Sequence, residues 1–136
     1  MHQFPCTLEA LVVRTDFSAD SAWDALRAAL RSPSRDGFLA NVALVDDRRY
    51  EGLTPESALA LIPAEYQHPL LVLADPVAVA SADLPLLVVD LRRERGRCVR
   101  VVAAELWSIE NNVSEANMDF EEFAGAVDDD GVFRGF

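Results

Sequence analysis

Aspartate follows each of the first three strand-like runs of this chain, and aspartates gathered at one place can hold a metal ion. Asp46 and Asp75 come directly after apolar runs, and Asp16 follows such a run after Arg14 and Thr15. In a parallel sheet the carboxyl ends of the strands meet at one edge, where α/β folds bind ligands, and clustered carboxylates are ligands for Mg²⁺. These residues define one candidate, a small metal-dependent hydrolase. The competing interpretation, which we favour, is that aspartate here ends strands and caps helices.

A second candidate lies in residues 107–123, which combine asparagines, acids and a tryptophan at helical spacing. Asparagine competes with the helix for backbone hydrogen bonds, so a helix built only for stability avoids it. Capping explains part of the excess, because Asn112 could end one helix and Asn117 or Asp119 could start the next. The remainder predicts a protein-binding surface, since polar groups around an aromatic anchor are typical of interface hot spots. The predicted partner-binding residues are Trp107, Glu110, Asn111, Asn117 and Asp119.

Charge restricts the class of partner. The net charge of −11 and the isoelectric point near 4.4 argue against a nucleic acid or an anionic membrane surface. They permit a basic protein. Charge is also segregated along the chain: residues 92–100 hold five of the twelve arginines, whereas residues 105–136 hold nine acids and one arginine, Arg134. A basic partner or a contact between two copies of the chain could use this separation, although two solvated faces would show it as well.

Several familiar kinds of chemistry lack their residues. There is no lysine, so a Schiff-base lysine, a P-loop lysine and the lysine of a phospho-acceptor receiver are all excluded. No glycine-rich phosphate loop or nucleophile elbow is present, and His2 and His68 are the only histidines. Cys6 and Cys98 are far apart and are expected to be free thiols. We therefore expect no cofactor and no catalytic residue, and we expect no metal unless the aspartates supply one.

The elements that must position these residues alternate between strand and helix. The predicted strands are 8–15, 41–45 and 69–74, and the predicted hairpin strands are 85–91 and 98–102. The predicted helices are 20–30, 55–62, 103–112 and 120–127. The expected N-terminal caps are Ser18 or Asp20 for the first helix, Thr54 for the second, and a capping box of Asp119 and Glu122 for the last. Alternation with continuous apolar strands predicts one α/β domain, residues 1–136. Its expected architecture is a three-layer α/β/α arrangement with a mixed sheet, parallel in its first part, followed by an antiparallel hairpin and a helical C-terminus.

The hairpin carries two detailed expectations. A turn centred on Arg95 places Gly96 where a left-handed backbone is needed, and the same register sets Asp90 opposite Arg100 as a cross-strand ion pair. No stretch resembles a signal peptide, and the longest apolar stretch, residues 69–91, is interrupted by aspartates and prolines. We therefore expect a cytoplasmic protein.

Several stretches of the chain can be compared with known families. They are Leu11-Val12-Val13-Arg14-Thr15-Asp16-Phe17, Asp36-Gly37-Phe38, Ser108-Ile109-Glu110-Asn111-Asn112 with Ala116-Asn117-Met118-Asp119-Phe120-Glu121-Glu122-Phe123-Ala124, and the ending Asp130-Gly131-Val132-Phe133-Arg134-Gly135-Phe136. Together these stretches resemble an uncharacterised family of small acidic bacterial proteins. The resemblance covers nearly the whole chain. It implies a self-contained domain and supplies no activity and no catalytic residue.

Two functions of different class follow. The leading hypothesis is a non-enzymatic interaction protein, of the inhibitor or immunity type, that binds a basic protein through its acidic C-terminal face. The alternative is the metal-dependent hydrolase built on Asp16, Asp46 and Asp75. A homo-oligomer remains compatible with either.

Overall fold

A computed structural model describes residues 2–136, and its six strands all belong to one sheet. The strands are β1 (Ala10–Arg14), β2 (Val42–Val45), β3 (Leu70–Ala74), β4 (Pro85–Asp90), β5 (Cys98–Val102) and β6 (Val132–Phe133). The α-helices are α1 (Asp20–Arg31), α2 (Pro55–Leu59), α3 (Pro76–Ala80), α4 (Leu106–Ser114) and α5 (Phe120–Ala124). That the whole chain forms a single domain stays a prediction, and Met1 lies outside the described residues.

The sheet is mixed, as the alternation predicts. Its strand order is β2-β1-β3-β4-β5-β6. β2, β1 and β3 are parallel, β4 is antiparallel to both of its neighbours, and β6 is parallel to β5. The predicted class, an α/β fold with a parallel first part, an antiparallel hairpin and a helical C-terminus, is therefore confirmed. The strands of the parallel part are continuous apolar runs because β1 and β3 are buried on both faces.

Each face of the sheet packs against its own apolar cluster. One face is covered by α1, α3, α4 and α5, whose inward side chains include Trp23, Leu26, Ile109 and Phe123. The opposite face is covered by the N-terminal segment, α2 and the turns beside it, with Phe4, Tyr50, Leu61 and Tyr66 inward. Helices on both faces follow from the topology, because the chain steps from β1 to β2 in one direction and from β2 past β1 to β3 in the other.

Several helix caps and boundaries differ from those predicted. α4 covers Leu106–Ser114 rather than 103–112, and α5 ends at Ala124 rather than at residue 127. The N-cap of α1 is Ala19, which has no side-chain cap bond. Neither predicted cap is available: the Ser18 hydroxyl donates to Asp16, and the Asp20 carboxylate accepts from Arg14. α2 does begin at Thr54 with a capping box, but it ends at Leu59, three residues before the predicted end.

The hairpin has a different register from the predicted one. Arg100 lies opposite Leu87, and the amide N of Asp90 donates to the carbonyl O of Arg97. The predicted pair between Asp90 and Arg100 is therefore wrong. The buried Asp90 carboxylate instead accepts from the amide N atoms of Arg92, Arg93 and Glu94, and this interaction builds a longer loop. Gly96 has φ +98°, so its predicted left-handed conformation is confirmed.

Three short elements were not predicted. They are α3, strand β6, and a 3₁₀ turn at Arg48–Tyr50. α3 was missed because it begins at Pro76 within a long apolar stretch, where Asp75 both ends the strand and caps the helix. Within residues 2–136 no helix is long and apolar enough to span a membrane.

Candidate functional site

Trp107 anchors a surface cluster that combines α4 with the loop before β2. Its ring stacks on Phe38, with the ring centroids 4.9 Å apart and the planes 11° from parallel. Trp107 itself is half-buried, whereas Phe38 is 48% exposed and the adjoining Leu39 is 45% exposed. Large apolar side chains on a loop are costly to expose. We call Phe38, Leu39 and Trp107 the aromatic patch.

Glu110 holds the loop in place from below. Its carboxylate is buried and accepts from the amide N of Asn41 at 2.6 Å. The other carboxylate oxygen lies 3.0 Å from His68 Nε2. Because His68 Nδ1 accepts from the amide N of Leu70, the proton of the neutral ring must sit on Nε2 and point at Glu110. This carboxylate therefore joins the loop before β2, α4 and the start of β3.

Hydrogen bonding shifts the ionisation of Glu110. Burial acts to raise its pKa, but the hydrogen bonds from His68 and Asn41 outweigh burial and lower the pKa below its ordinary value. The carboxylate is thus held ionised. Glu110 is 4% exposed, and its oxygens accept from Asn41, Asn111 and His68. That Glu110 takes part in partner binding stays a prediction.

Asn111 adds a second bond to the same loop. Its side-chain Nδ2 donates to the carbonyl O of Leu39 at 3.0 Å and to Glu110 at the same distance. Asn112, which we expected to cap the helix, donates instead to the carbonyl O of Ser108 within α4. Glu110 and Asn111 therefore position Leu39 and Phe38, and Trp107 packs against what they hold.

Asn117 and Asp119 belong to a different surface. Both are exposed, and they lie in the connection from α4 to α5. Asp119 forms the predicted capping box with Glu122, and its carboxylate pairs with Arg93 of the hairpin loop at 3.2 Å. A small apolar recess beside Asp119 is lined by Met118 and Arg93. The predicted site thus divides into two: the aromatic patch at the start of α4, and the connection that follows α4.

Some of the segregated basic and acidic side chains form ion pairs with each other at the surface of the same molecule. Arg93 and Arg97 of the hairpin loop form ion pairs with Asp119 and Glu121. Arg134 likewise bridges three aspartates, which are Asp83, Asp128 and Asp130. Part of the basic and acidic segregation in the sequence is therefore an internal contact. The acids Glu105, Glu115, Glu122 and Asp129 form no salt bridge with the described residues and leave a negative surface in this region.

The strand-end aspartates each have a local partner. Asp46 accepts from Arg14, a buried arginine that also binds Asp20 and lies 4.3 Å from the centroid of the Phe17 ring. Asp16 accepts from the Ser18 hydroxyl, and these hydrogen bonds lower its pKa. An arginine thus occupies the edge of the parallel strands where the hydrolase hypothesis would place a metal.

Asp75 is separated from the other two by its own pair. Both of its oxygens accept from the Arg100 guanidinium at 2.7 Å, and one also accepts from the amide N of Ala78. No group of three or more histidine, cysteine, aspartate or glutamate side chains within residues 2–136 has a geometry that could hold a metal ion. Cys6 and Cys98 are both free thiols, as predicted.

Sequence reasoning missed the residues that complete the aromatic patch. Phe38, Leu39 and Asn41 are in a loop far from α4 in the sequence, and His68 precedes a proline. One signal was present: Asp36-Gly37-Phe38-Leu39 places two large apolar residues directly after a turn, in a loop that has no amphipathic period of its own.

The architecture and the site together define a mixed-sheet α/β protein with a partly exposed aromatic pair beside buried polar contacts. The chain belongs to the family described as Domain of unknown function (DUF6924), whose model matches residues 9–136. The resemblance to an uncharacterised family is thereby confirmed. No curated protein matches the chain.

Proposed function

We propose that this protein is a non-enzymatic interaction protein, of the inhibitor or immunity type, that binds a basic protein. The observation that carries the proposal is the aromatic patch, in which Phe38 and Leu39 are about half exposed although Glu110 and Asn111 hold the loop below them. A pre-organised aromatic anchor loses little conformational entropy on binding, and such anchors dominate interface energies.

The surroundings of the patch favour a cationic protein as its occupant. A groove of about 480 Å³ runs beside Trp107 and is also lined by Asp36 and Glu105. Burial raises the pKa of Glu105, which marks a carboxylate that gains from a cationic neighbour. The net charge of −11 adds a long-range attraction for a basic protein. Arg35 lines the same groove and can select an acid on the partner.

The acidic C-terminal surface acts as the steering region of this proposal. Glu115, Glu122 and Asp129 are exposed and form no ion pair with the described part of the chain. They add to the field around the aromatic patch without having to contact the partner. The two free thiols agree with the cytoplasmic setting predicted from the sequence. A bacterial origin, which the resemblance implies, stays a prediction.

The test uses the whole protein as immobilised bait in a lysate of the source cell. The baits are wild type, Phe38→Ala/Leu39→Ser, and the control Val77→Ser. Val77 is 52% exposed on α3, so its replacement removes exposed apolar surface at another place. We expect wild type and Val77→Ser to retain the same basic protein and the patch variant to lose it. The partner is then purified and its affinity measured for each bait.

Removal of a hot-spot anchor costs on the order of 2 kcal/mol, which is about thirtyfold in Kd. Equal affinities for wild type and the patch variant would contradict the proposal. A second arm tests the hydrolase alternative by calorimetry with Mg²⁺ and Mn²⁺. Saturable metal binding that is lost in Asp16→Asn would favour that alternative. Recovery of the protein's own copies alone, with a concentration-dependent mass, would instead assign the aromatic patch to a homo-oligomer.

A further inference from the structure

A polar cavity on the other side of the hairpin loop has no part in the proposed function. It lies at the amino ends of β1 and β3 and has a volume of about 250 Å³. Its walls come from residues 62–69 before β3 and from the loop after β4. The charged side chains that line it are Arg92 and Arg95, with His68 behind them.

The four arginines of the hairpin loop divide between two surfaces. Arg93 and Arg97 pair with the acids of α5 and its cap. Arg92 and Arg95 face the cavity and form no salt bridge within residues 2–136. Among the described residues, Arg31 and Arg35 are the only other arginines that form no salt bridge, and neither lines this cavity. Two unpaired cations in one cavity are unexpected in a chain with an excess of eleven negative charges.

Backbone oxygens orient both guanidinium groups without neutralising them. Arg92 Nη2 donates to the carbonyl O of Gln67 at 3.0 Å, and Arg95 Nη1 donates to the carbonyl O of Leu91 at 3.4 Å. A guanidinium group has five N–H donors, so most donors on each remain available. Asp90, at the end of β4, is buried and directs its oxygens at loop amide groups. Glu94, the acid within the loop, lies 3.8 Å from Arg97 in a salt bridge.

Tyr66 and His68, which also line the cavity, already have hydrogen-bond partners within the protein. Tyr66 Oη bonds with the amide N of Leu11 and the carbonyl O of Leu70. His68 has both ring nitrogens engaged, by Leu70 and by Glu110. These two side chains form walls and do not compete for the arginines. The cavity therefore presents the guanidinium groups of Arg92 and Arg95 beside two polar side chains that are already hydrogen-bonded.

We infer that Arg92 and Arg95 form a binding site for a phosphate dianion carried by a small molecule. Arginine binds phosphate oxygens through paired N–H donors, and two guanidinium charges balance a dianion where one carboxylate would leave a charge unmatched. At about 250 Å³ the cavity is smaller than the usual small-molecule site of about 300–1,000 Å³, which suits a phosphate with a short organic group.

The test is an amide-resolved NMR titration of the whole protein at constant ionic strength, with sodium chloride as the reference. The probes are glycerol 3-phosphate and inorganic phosphate. We expect saturable shifts confined to residues 62–69 and 91–96, with tighter binding of glycerol 3-phosphate. Equal binding of the two probes would also support the site and would assign it to inorganic phosphate. Unsaturable or scattered shifts would overturn the inference.

The variant Arg92→Gln/Arg95→Gln is expected to weaken binding by about tenfold or more, since each lost charge-assisted contact is substantial. The matched control is Arg27→Gln/Arg31→Gln, which removes the same charge from α1 and should bind as wild type does. Equal weakening in both variants would mean that only net charge matters, and the site would be rejected. If the double variant unfolds, Arg95→Gln alone serves, because the one hydrogen bond that the Arg95 side chain forms with residues 2–136 is long, at 3.4 Å.

Discussion

Glu110 connects three parts of the chain through a single side chain. It binds the loop before β2 through Asn41, it binds the segment before β3 through His68, and it belongs to α4. A buried carboxylate is costly unless hydrogen bonds compensate it, and here each oxygen has at least one donor. Glu110 is therefore a structural link between these three segments, and its role in recognition stays a prediction.

The ionisation of Glu110 predicts a loss of stability in acid. Hydrogen bonds lower its folded-state pKa below 4.5, so the unfolded chain takes up the proton first as the pH falls. The stability that the carboxylate contributes is fully present above pH 4.5 and is lost as the pH falls through the folded value. Glu110→Gln should lower the free energy of unfolding by about 1–3 kcal/mol at neutral pH and flatten its decline in acid. Urea unfolding between pH 3 and pH 7 measures both effects.

Glu105, in the same region, should change stability with pH in the opposite direction and therefore serves as a control. Burial raises the pKa of Glu105, so the folded state holds that proton more tightly and the charged form destabilises the fold. Glu105→Gln should therefore raise stability at neutral pH relative to acid. An acid decline that is unchanged in Glu110→Gln would show that this carboxylate is not the source of the pH dependence.

At the scale of elements, Asp75 ties the end of β3 to the start of α3 and to β5. It caps α3 by accepting from Ala78, and it forms a bidentate ion pair with Arg100. Both side chains are mostly buried, with 15% and 21% of their surface exposed, so solvent screens the pair only partly. Both carboxylate oxygens of Asp75 are thus used in structural contacts between these elements.

Replacement of Asp75 measures how much its helix cap and its ion pair contribute to the free energy of unfolding. Asp75→Asn keeps the shape and an acceptor for the cap but removes the charge opposite Arg100, and Asp75→Ala removes both. We expect losses of about 1–2 kcal/mol and about 3 kcal/mol in the free energy of unfolding. The control is Asp24→Ala, since Asp24 forms an exposed pair with Arg27 that should contribute little. Urea midpoints that are equal for Asp75→Ala and Asp24→Ala would contradict this account.

Gly96 is the second element-scale test. Its φ of +98° is one that side chains rarely adopt, and an added Cβ would lie 3.3 Å from Leu59 Cδ1 of α2. Gly96→Val should lower the free energy of unfolding by roughly 1 kcal/mol or more, as measured by urea unfolding. Gly96→Ala separates strain from size, because it has the same backbone conflict with a smaller side chain. If both variants are as stable as wild type, the loop does not require glycine.

At the scale of the whole molecule, the net charge of −11 should govern how quickly a basic partner arrives. The association rate should fall as salt rises, because the Debye length shrinks from about 10 Å at 0.1 M to about 3 Å at 1 M. Phe38→Ala should instead raise the dissociation rate, since in the proposed function the aromatic patch holds the partner after the encounter. Stopped-flow mixing with the purified partner separates the two rates. Salt-independent association would remove the steering role from the acidic surface.

The sequence predicted the architecture well because the signal was local. Continuous apolar runs, the Thr54-Pro55 helix start and the Asp119/Glu122 capping box each act within a few residues, and each is confirmed. The hairpin register failed because the turn was assigned from Gly96 alone. The Asp90 carboxylate collects three loop amides, and this competing turn chemistry set a longer loop.

The candidate site was predicted only in part because its contacts join distant segments. Trp107 and Asn111 could be selected from their types, but their contacts with Phe38 and Leu39 cross about half of the chain. The same holds for Glu110, whose bonds reach 42 and 69 residues back. The spacing of residues on one helix cannot reveal which loop that helix will meet, and so it could not separate a residue that binds from one that positions its neighbour.

The order of the strands also sets how the molecule opens. β3 lies between β1 and β4 and each of its five residues is completely buried, whereas the outermost strands are β2 and the two-residue β6. Hydrogen–deuterium exchange should therefore be slowest at the amides of β1 and β3, where exchange requires global unfolding, and faster at both rims. Exchange at β6 as slow as that at β3 would contradict this gradient. Local opening is thus expected to begin at the edge strands β2 and β6, and the parallel strands β1 and β3 are expected to unfold last.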